Sequence, residues 1–351
     1  MMALGGKVDL LCGRAGGITR NSGLDAACSV ARTVGAIALA ACAMVVAAPT
    51  LAQAWPDRPV KVIVPFPAGG SNDVVARIFA KVLGEKLGQP FVIENRAGAN
   101  GNLGAAAVAA APPDGYTLLF TSTGPLVYNK VIYKSSMTFD PAKDFTPIVE
   151  VAKIPLIIAS NLTLPAKSFQ EMVAYAKANP GKVTFASPGN GSMGHLTADL
   201  VQTNLGFRLT HVPYRGSAPA MNDLLGGVVN INVDFASNYA PHVQAGTLRA
   251  LAITAPKRWS LLPDAPTLSE LGMPDFDATG WIAIVGPAGI PVEAVGKINK
   301  AANDFIATRE GIEALEKQGM VPVGGSAENL RSFMASELEK WRPAAEKITP
   351  E

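Results

Sequence analysis

The sequence predicts an α/β protein built as two lobes, on three observations. Strand and helix patterns alternate from Trp55 onward, and the alternation restarts near Ile154. About 300 residues follow the amino-terminal leader, more than one core comfortably holds.

The elements follow from residue spacing. Residues 60–65 form a short β-branched run, and 73–87 carry apolar side chains at 74, 75, 78, 79, 82, 83 and 87, a helical period. Gly88 is placed to cap that helix. Residues 91–94 and 116–121 read as strands, with an alanine-rich helix over 103–110 between them. This order implies βαβ units and a largely parallel sheet. A strand at 154–159 opens the second run, and Ser168 with Glu171 forms a capping box for a helix reaching Ala178. Strands follow at 183–186, 209–213, 229–235 and 248–254, with helices at 193–205 and 219–225. A last strand at 282–285 precedes helices over 292–306, 310–317 and 328–347. Chain crossings are expected near 151–156 and 275–281. That divides the chain into residues 55–155 with 280–351 as one lobe and 156–279 as the other.

The first 54 residues read as an export signal. Lys7, Arg14, Arg20 and Arg32 precede an apolar stretch over 34–48, and Ala52-Gln53-Ala54 supplies the small-residue cleavage pattern, with cutting after Ala54. The basic part is long, which suits a start codon downstream of Met1. Leu39-Ala40-Ala41-Cys42 also has the shape of a lipobox, but apolar residues continue after Cys42 where a polar tether would be expected, so free export is the preferred reading. Cys12, Cys28 and Cys42, the three cysteines of the chain, all leave with the signal, which removes disulfides and thiolate metal sites from consideration. Of 30 basic and 28 acidic residues, the signal carries four and two, so the remainder is neutral. A neutral chain with no basic run argues against nucleic acid as a partner.

Two strand–turn–helix passages match one another. The first reads V-I-V-P-F-P-A-G-G-S-N-D-V-V-A-R over 62–77, and the second V-T-F-A-S-P-G-N-G-S-M-G-H-L over 183–196. Glycines permit tight turns with unshielded amides. Ser71, Asn72 or Asp73, and Ser192, are candidate N-caps. Such a turn at a helix N-terminus offers backbone donors and a dipole to an anion. Neither turn holds Lys or Arg, and neither ends in the G-K-[ST] of a nucleotide-binding loop. A helix end contributes ~0.3–1 kcal/mol, up to ~2 when partly buried, whereas micromolar binding needs about 8 kcal/mol. Several charge-assisted hydrogen bonds of ~1.5–3 kcal/mol each must supply the rest.

Enzyme signatures are weak. A nucleophile elbow around Ser192 needs glycine at 190, where Asn190 stands. His195 has no acidic orienter at a recognisable spacing, and His211 and His242 are isolated in the chain, so no metal motif forms and no metal or cofactor is expected. Gly98, Gly101 and Gly104 depart from G-x-G-x-x-G and serve instead to seat a helix on the sheet.

The same passages carry a family resemblance. P-F-P-A-G-G-S-N-D-V-V-A-R (65–77), E-N-R-A-G-A-N-G-N-L-G (94–104), P-D-G-Y-T-L (113–118) and G-N-G-S-M-G-H-L (189–196) resemble the substrate-binding proteins of tripartite tricarboxylate transporters, the Bug-type receptors. So do H-V-P-Y-R-G-S-A-P-A (211–220), L-R-A-L-A-I-T (248–254), P-D-A-P-T-L-S-E-L-G (263–272) and W-I-A-I-V-G-P-A-G-I-P (281–291). The matches run in order across nearly all of the chain beyond the signal.

The resemblance implies a non-enzymatic two-lobed periplasmic binding protein (type II-like), each lobe a mixed sheet flanked by helices, with ligand in the cleft between. It implies that a ligand carboxylate is held by two turns, Phe66, Ala68, Gly69, Gly70, Ser71 and Asn72 in one, and Ser187, Gly189, Asn190, Gly191 and Ser192 in the other, with His195 beside the second. Ala68 departs from a common turn residue of the family. Thr121 and Ser122 end a strand at the same edge, and Asp234 ends another, where it would read a ligand amine or hydroxyl or else bond a neighbouring turn. Tyr214 and Arg215 would contact ligand or bridge the lobes, and Asp73 would cap its helix and pair with Arg77. The expected partners are a small organic carboxylate and the membrane subunits of the transporter, with the receptor itself a monomer. The rival readings are a receptor feeding a sensor kinase and a periplasmic hydrolase using Ser192 and His195.

Overall fold

A computed structural model describes residues 54–348. The export signal, the three cysteines and the lipobox therefore lie outside the described residues, with Ala54 at their edge.

Strand β1 (Val60–Val64) is buried on both faces apart from Lys61, as a central strand covered by helices requires. Helix α1 (Ser71–Leu87) buries Val75, Ala76, Phe79, Ala80 and Leu83 along one stripe. Gly88, left-handed at φ 78°, ends it, its N–H bonding Gly84 O. After β2 (Phe91–Asn95), helix α2 (Asn102–Ala109) comes so close to β1 that a Cβ on Gly104 would sit 2.7 Å from Pro65 Cβ. Only glycine permits that seat, the packing role expected of it.

Strand β3 (Thr117–Ser122) leads into two short helices, α3 (Thr123–Leu126) and α4 (Asn129–Tyr133), and then the ten-residue β4 (Phe145–Ile154). The strand expected at 154–159 is β5 (Leu156–Ser160), which Pro155 separates from β4, a strand not expected from the sequence. Then come α5 (Phe169–Ala178), β6 (Thr184–Ser187), α6 (Met193–Leu205), β7 (Thr210–Pro213), α7 (Ser217–Leu225) and β8 (Ile231–Phe235). Ser168 Oγ accepts the Glu171 N–H at 3.2 Å, while the Glu171 carboxylate turns back to the N–H of Lys167, one residue earlier than a strict capping box. Helix α8 (Ala236–Gln244), unexpected because Pro241 interrupts its pattern, buries Tyr239 completely. It is followed by β9 (Arg249–Ile253), β10 (Gly280–Pro287), α9 (Val292–Ile306), α10 (Arg309–Glu316), β11 (Val321–Pro322) and α11 (Ala327–Ala345).

The strands form two sheets, both mixed. The first runs β11-β4-β10-β3-β1-β2 and the second β7-β6-β8-β5-β9. In the first, β1 is parallel to β2 and β3, but β10 is antiparallel to both β3 and β4. In the second, β6 is parallel to β7 and β8, whereas β5 is antiparallel to β8 and β9. The antiparallel strands are those the chain enters on leaving one sheet for the other, at Pro155 and again between β9 and β10. They correct the expectation of largely parallel sheets.

Helix α11 packs under the first sheet through Leu330, Met334 and Trp341. The indole N–H groups of Trp281 and Trp341 donate to Glu337 Oε2 at 3.1 and 3.0 Å, and Lys340 adds an ion pair, so this buried carboxylate has all its partners. Beyond α11, Lys347 Nζ reaches Asp199 on α6 at 2.9 Å. One apolar cluster accordingly runs from Trp281 and Trp341 to Phe185 and Leu196, across both sheets.

Candidate functional site

The two matched turns lie at the carboxyl ends of β1 and β6, each leading into a helix, α1 or α6. In the first, Phe66 is half-buried and Ala68, Gly69 and Gly70 are exposed. The cap of α1 is Gly70, with no side-chain acceptor, rather than Ser71, Asn72 or Asp73. Asp73 is instead drawn beneath the turn. Its Oδ2 accepts from Gly69 N–H and Arg77 Nε, both at 2.9 Å, and its Oδ1 accepts from Arg77 Nη2 at 3.0 Å and Asn95 Nδ2 at 2.9 Å. Asn95 also ties down Phe66 O at 3.1 Å. Burial opposes the charge on Asp73, but the bonds from Arg77, Gly69 and Asn95 prevail and hold its carboxyl at about 2. Ser71 and Asn72 sit half-buried at the head of α1, and Asn72 Oδ1 is enclosed without a hydrogen-bond partner.

A third segment abuts this turn. Gly101, left-handed at φ 89°, lies against Phe66 and Pro125, so that a Cβ there would fall 2.7 Å from Pro125 Cγ. Buried Asn129 holds the segment, donating to Asn100 O at 3.0 Å and Asn102 Oδ1 at 2.7 Å.

The second turn is braced by two histidines. Ser187 is fully buried, and its Oγ lies 2.8 Å from His211 Nε2 and 3.0 Å from Gly189 O. His195 Nδ1 accepts the Gly191 N–H at 3.2 Å, which leaves the ring proton on Nε2 as a donor. Ser192 caps α6 as expected, its Oγ accepting His195 N–H at 3.3 Å. The His195 and His211 rings stack with centroids 3.8 Å apart, and Phe185 stacks against His211 at 4.6 Å while lying 6.2 Å from His195. Burial, and then the neighbouring His195, pushes His211 down to about 4. Burial also lowers His195, against the pull of Asp199. Both imidazoles are therefore neutral near pH 7. Gly191 is left-handed at φ 71°, and a Cβ there would meet Ile132 Cδ1 at 3.0 Å and Ile348 Cγ2 at 3.5 Å.

Four amides of these turns already have acceptors. Gly69 N–H is held by Asp73, Gly189 N–H by Ser187 Oγ at 3.3 Å, Gly191 N–H by His195, and Ser192 N–H by Gly189 O at 3.1 Å. Tight turns fold back on their own donors. The donors remaining for an anion are concentrated in the first turns of α1 and α6, together with small hydroxyls and His195 Nε2–H. Asn190 sits half-buried between the two glycines.

The other expected residues are placed less openly. Thr121 is fully buried with no partner for its hydroxyl, and Ser122 is half-buried at the start of α3. Asp234 is 2% exposed, and its carboxylate takes the Phe235 N–H at 2.7 Å and the Tyr239 hydroxyl at 3.5 Å, with Ser217 and Asn238 also bonded to it. These bonds fill the neighbouring-turn role weighed for it, and burial raises its carboxyl to about 6. The Tyr214 hydroxyl donates to Asp223 on α7 at 2.6 Å.

His211 is the residue that sequence reasoning passed over as isolated. The parallel register of β6 and β7 sets it beside Phe185 and one ring away from His195. The geometry does not assemble the Ser192–His195 pair of a hydrolase. Ser192 Oγ serves as a cap, and His195 Nδ1 is engaged by a backbone amide. The serine that does meet an imidazole, Ser187, is fully buried, out of reach of an ester or amide substrate.

Comparison with known proteins gives a consistent picture. A family model described as tripartite tricarboxylate transporter family receptor matches residues 75–349. Protein BugT of Bordetella pertussis is 38% identical over 296 residues, covering 84% of this chain and 91% of that protein. Among solved structures, an R. palustris protein with adipate superposes with a TM-score of 0.76 at 36% identity, covering 85% of this chain and 100% of that one. MatC from Rhodopseudomonas palustris with bound malate gives a TM-score of 0.72 at 30% identity, over 83% of this chain and 100% of that one.

Proposed function

The chain belongs to the tripartite tricarboxylate transporter receptor family, a family of periplasmic binding proteins, and from that premise we propose that it captures a small organic carboxylate between its lobes and presents it to the transporter's membrane subunits. The observation that carries this reading is the pair of turns without Lys or Arg, one at the carboxyl edge of each sheet, each opening a helix. Ligands of open α/β sheets favour that edge. The adipate and malate held by the two solved relatives are ligands of the matching class.

In this proposal Phe66, Ala68, Gly69, Gly70, Ser71 and Asn72 form one side of the carboxylate site, and Ser187, Gly189, Asn190, Gly191, Ser192 and His195 the other. Thr121 and Ser122 close its floor, and Asp234 positions α7 from beneath. The lobes comprise residues 55–155 with 280–351, and 156–279, and closure about the two crossings signals occupancy. The protein acts as a monomer, performs no chemistry on its ligand, and reaches the periplasm after removal of residues 1–54.

Calorimetry of the chain purified from the periplasm, against mono-, di- and tricarboxylates and aromatic acids, tests the reading. Saturable binding of at least one acid is expected. No heat across the panel would sink it.

A further inference from the structure

We infer that helix α4 sets the separation of the two carboxylate turns, with Asn129 positioning the first and Ile132 the second, and thereby sets the length of acid the site accepts. The inference rests on the carboxylate-receptor reading above and deepens it by naming what controls the gap between the two halves of the site.

Helix α4 is five residues long, too short to hold itself by backbone bonds, so its side chains fix its place. Tyr128, just before it, packs edge-on against buried Trp341 of α11 with ring centroids 6.5 Å apart. Lys130 is paired with Asp140, and Val131 and Ile132 are sunk in the apolar cluster that runs across both sheets. From that seat Asn129 and Ile132, three residues apart and so neighbours on the helix surface, reach different turns.

Asn129 is fully buried, and its side chain is committed to the segment before α2. Its Nδ2 donates to Asn100 O at 3.0 Å and Asn102 Oδ1 at 2.7 Å, and its Oδ1 accepts Asn100 Nδ2 at 3.2 Å. The segment it grips has an unfavourable backbone. Ala99 at φ 46° and Asn100 at φ 51° are left-handed without being glycine, and Gly101 follows at φ 89°. Such residues persist only where their surroundings over-determine them, and three bonds to one buried amide do so. The grip is passed to the first turn, because a Cβ on Gly101 would fall 3.3 Å from Phe66 Cζ as well as 2.7 Å from Pro125 Cγ. Asn129 thus props Phe66 through Gly101.

Ile132 supports the second turn without an intermediary. A Cβ on Gly191 would meet its Cδ1 at 3.0 Å, which leaves no room for a side chain there, and Gly191 N–H is the amide that His195 holds. The two turns follow strands of different sheets, β1 and β6, so the hydrogen bonding of neither sheet fixes the gap between them. One short helix reaches the supports of both. An acid bridging the turns binds best when its length matches a gap that is already set.

The test is calorimetry of the wild type, N129L, I132V and L315A against a homologous series of linear carboxylates, at a temperature below the melting transition of each. N129L nearly keeps the side-chain volume but removes all three bonds, and I132V removes only the Cδ1 methyl. Leu315, buried on α10 in the other apolar cluster, provides a loss of core packing away from both turns. Wild type is expected to prefer one chain length. For that acid N129L should lose about 10- to 100-fold in affinity, as expected for buried polar groups left unpaired, and I132V about fourfold. Both should lose less for shorter and longer acids, so that the preference flattens. Amide hydrogen exchange should quicken over residues 66–70 in N129L and over 189–192 in I132V. L315A should melt lower yet keep the affinity and ranking of wild type. A wild type that binds acids without regard to length, a wild-type ranking kept by both α4 variants, or an L315A that flattens the ranking as they do would overturn the role of α4 while leaving the receptor standing. Should N129L not fold, I132V decides alone. A wild type that binds no acid would overturn both.

Discussion

His195 lies on His211 with ring centroids 3.8 Å apart, and each imidazole grips a different part of the same turn: Nδ1 of His195 holds Gly191 N–H, and Nε2 of His211 meets Ser187 Oγ. The His195 grip needs a neutral ring, because a protonated Nδ1 would confront the Gly191 N–H with a second donor, and a charged His211 would repel any charge on the ring stacked against it.

Acid should therefore loosen this turn. His211 titrates at about 4 in the folded chain against an ordinary 6.5, so its stabilisation is fully present above pH 6.5 and is lost as pH falls through about 4. Melting temperatures recorded across that window should fall more steeply for wild type than for H211Q, whose amide still reaches Ser187 but does not titrate. Parallel curves would contradict the assignment.

Glu150 predicts the opposite slope. Burial raises its carboxyl to about 7, Lys153 opposing and Glu337 and Asp277 adding to the rise, and its Oε1 has no hydrogen-bond partner. Its contribution is present below about 4.5 and is lost as pH rises through about 7. E150Q should gain up to about 3 kcal/mol over wild type near pH 8 and almost nothing near pH 4. Urea denaturation at the two pH values measures this, and a gain of equal size at both would refute it.

Two glycines separate steric need from backbone need. A Cβ on Gly194 would lie 1.9 Å from Val233 O, so G194A must push α6 away from β8 at about 2–4 kcal/mol. Gly206 has φ 66° and no heavy atom within 4 Å of an added Cβ, so G206A carries only the left-handed backbone cost of about 1 kcal/mol. Denaturant midpoints that rank the pair the other way would show that α6 is not seated as described.

Asp73 links stability to binding. D73N keeps the shape but loses the charge that gathers Arg77, Asn95 and Gly69 N–H, and should cost roughly 1–3 kcal/mol of stability and about tenfold in carboxylate affinity. The wild-type contribution is complete above about pH 3.8 and vanishes as pH falls through about 2. Calorimetry and melts on the same preparation read both effects; an unaltered affinity would detach Asp73 from the site.

What the sequence makes legible follows from how local each signal is. The turns after β1 and β6 are evident because glycine, serine and asparagine between a β-branched run and a helical period have few other uses. Strand β4 is obscured because Pro147, Glu150 and Lys153 break its apolar run, although its neighbours in the sheet bury most of it. Helix α8 is hidden by Pro241. The cap of α1 falls on Gly70 because Asp73, a good cap by composition, is pulled below the turn by Arg77 and Asn95. His211 belongs to the site only through strand pairing, and the pairing of two short strands is a long-range fact that no window of sequence contains.

The closeness of Ile132 and Ile348 to the position a Cβ would take on Gly191 bears on how affinity is apportioned between states. Ile132 stands on α4, beside the first sheet, and Ile348 follows α11, while Gly191 belongs to the turn that opens α6 beside the second sheet. Parting them would return apolar surface to water at about 0.8 kcal/mol per methylene-sized group. In the closure proposed above, that weight would act whether or not an acid is present and so would raise the fraction of empty molecules already in the apposed arrangement. Apparent affinity equals intrinsic affinity scaled by that fraction. Two isoleucines outside the proposed carboxylate site would thereby help determine the concentration at which a ligand is caught.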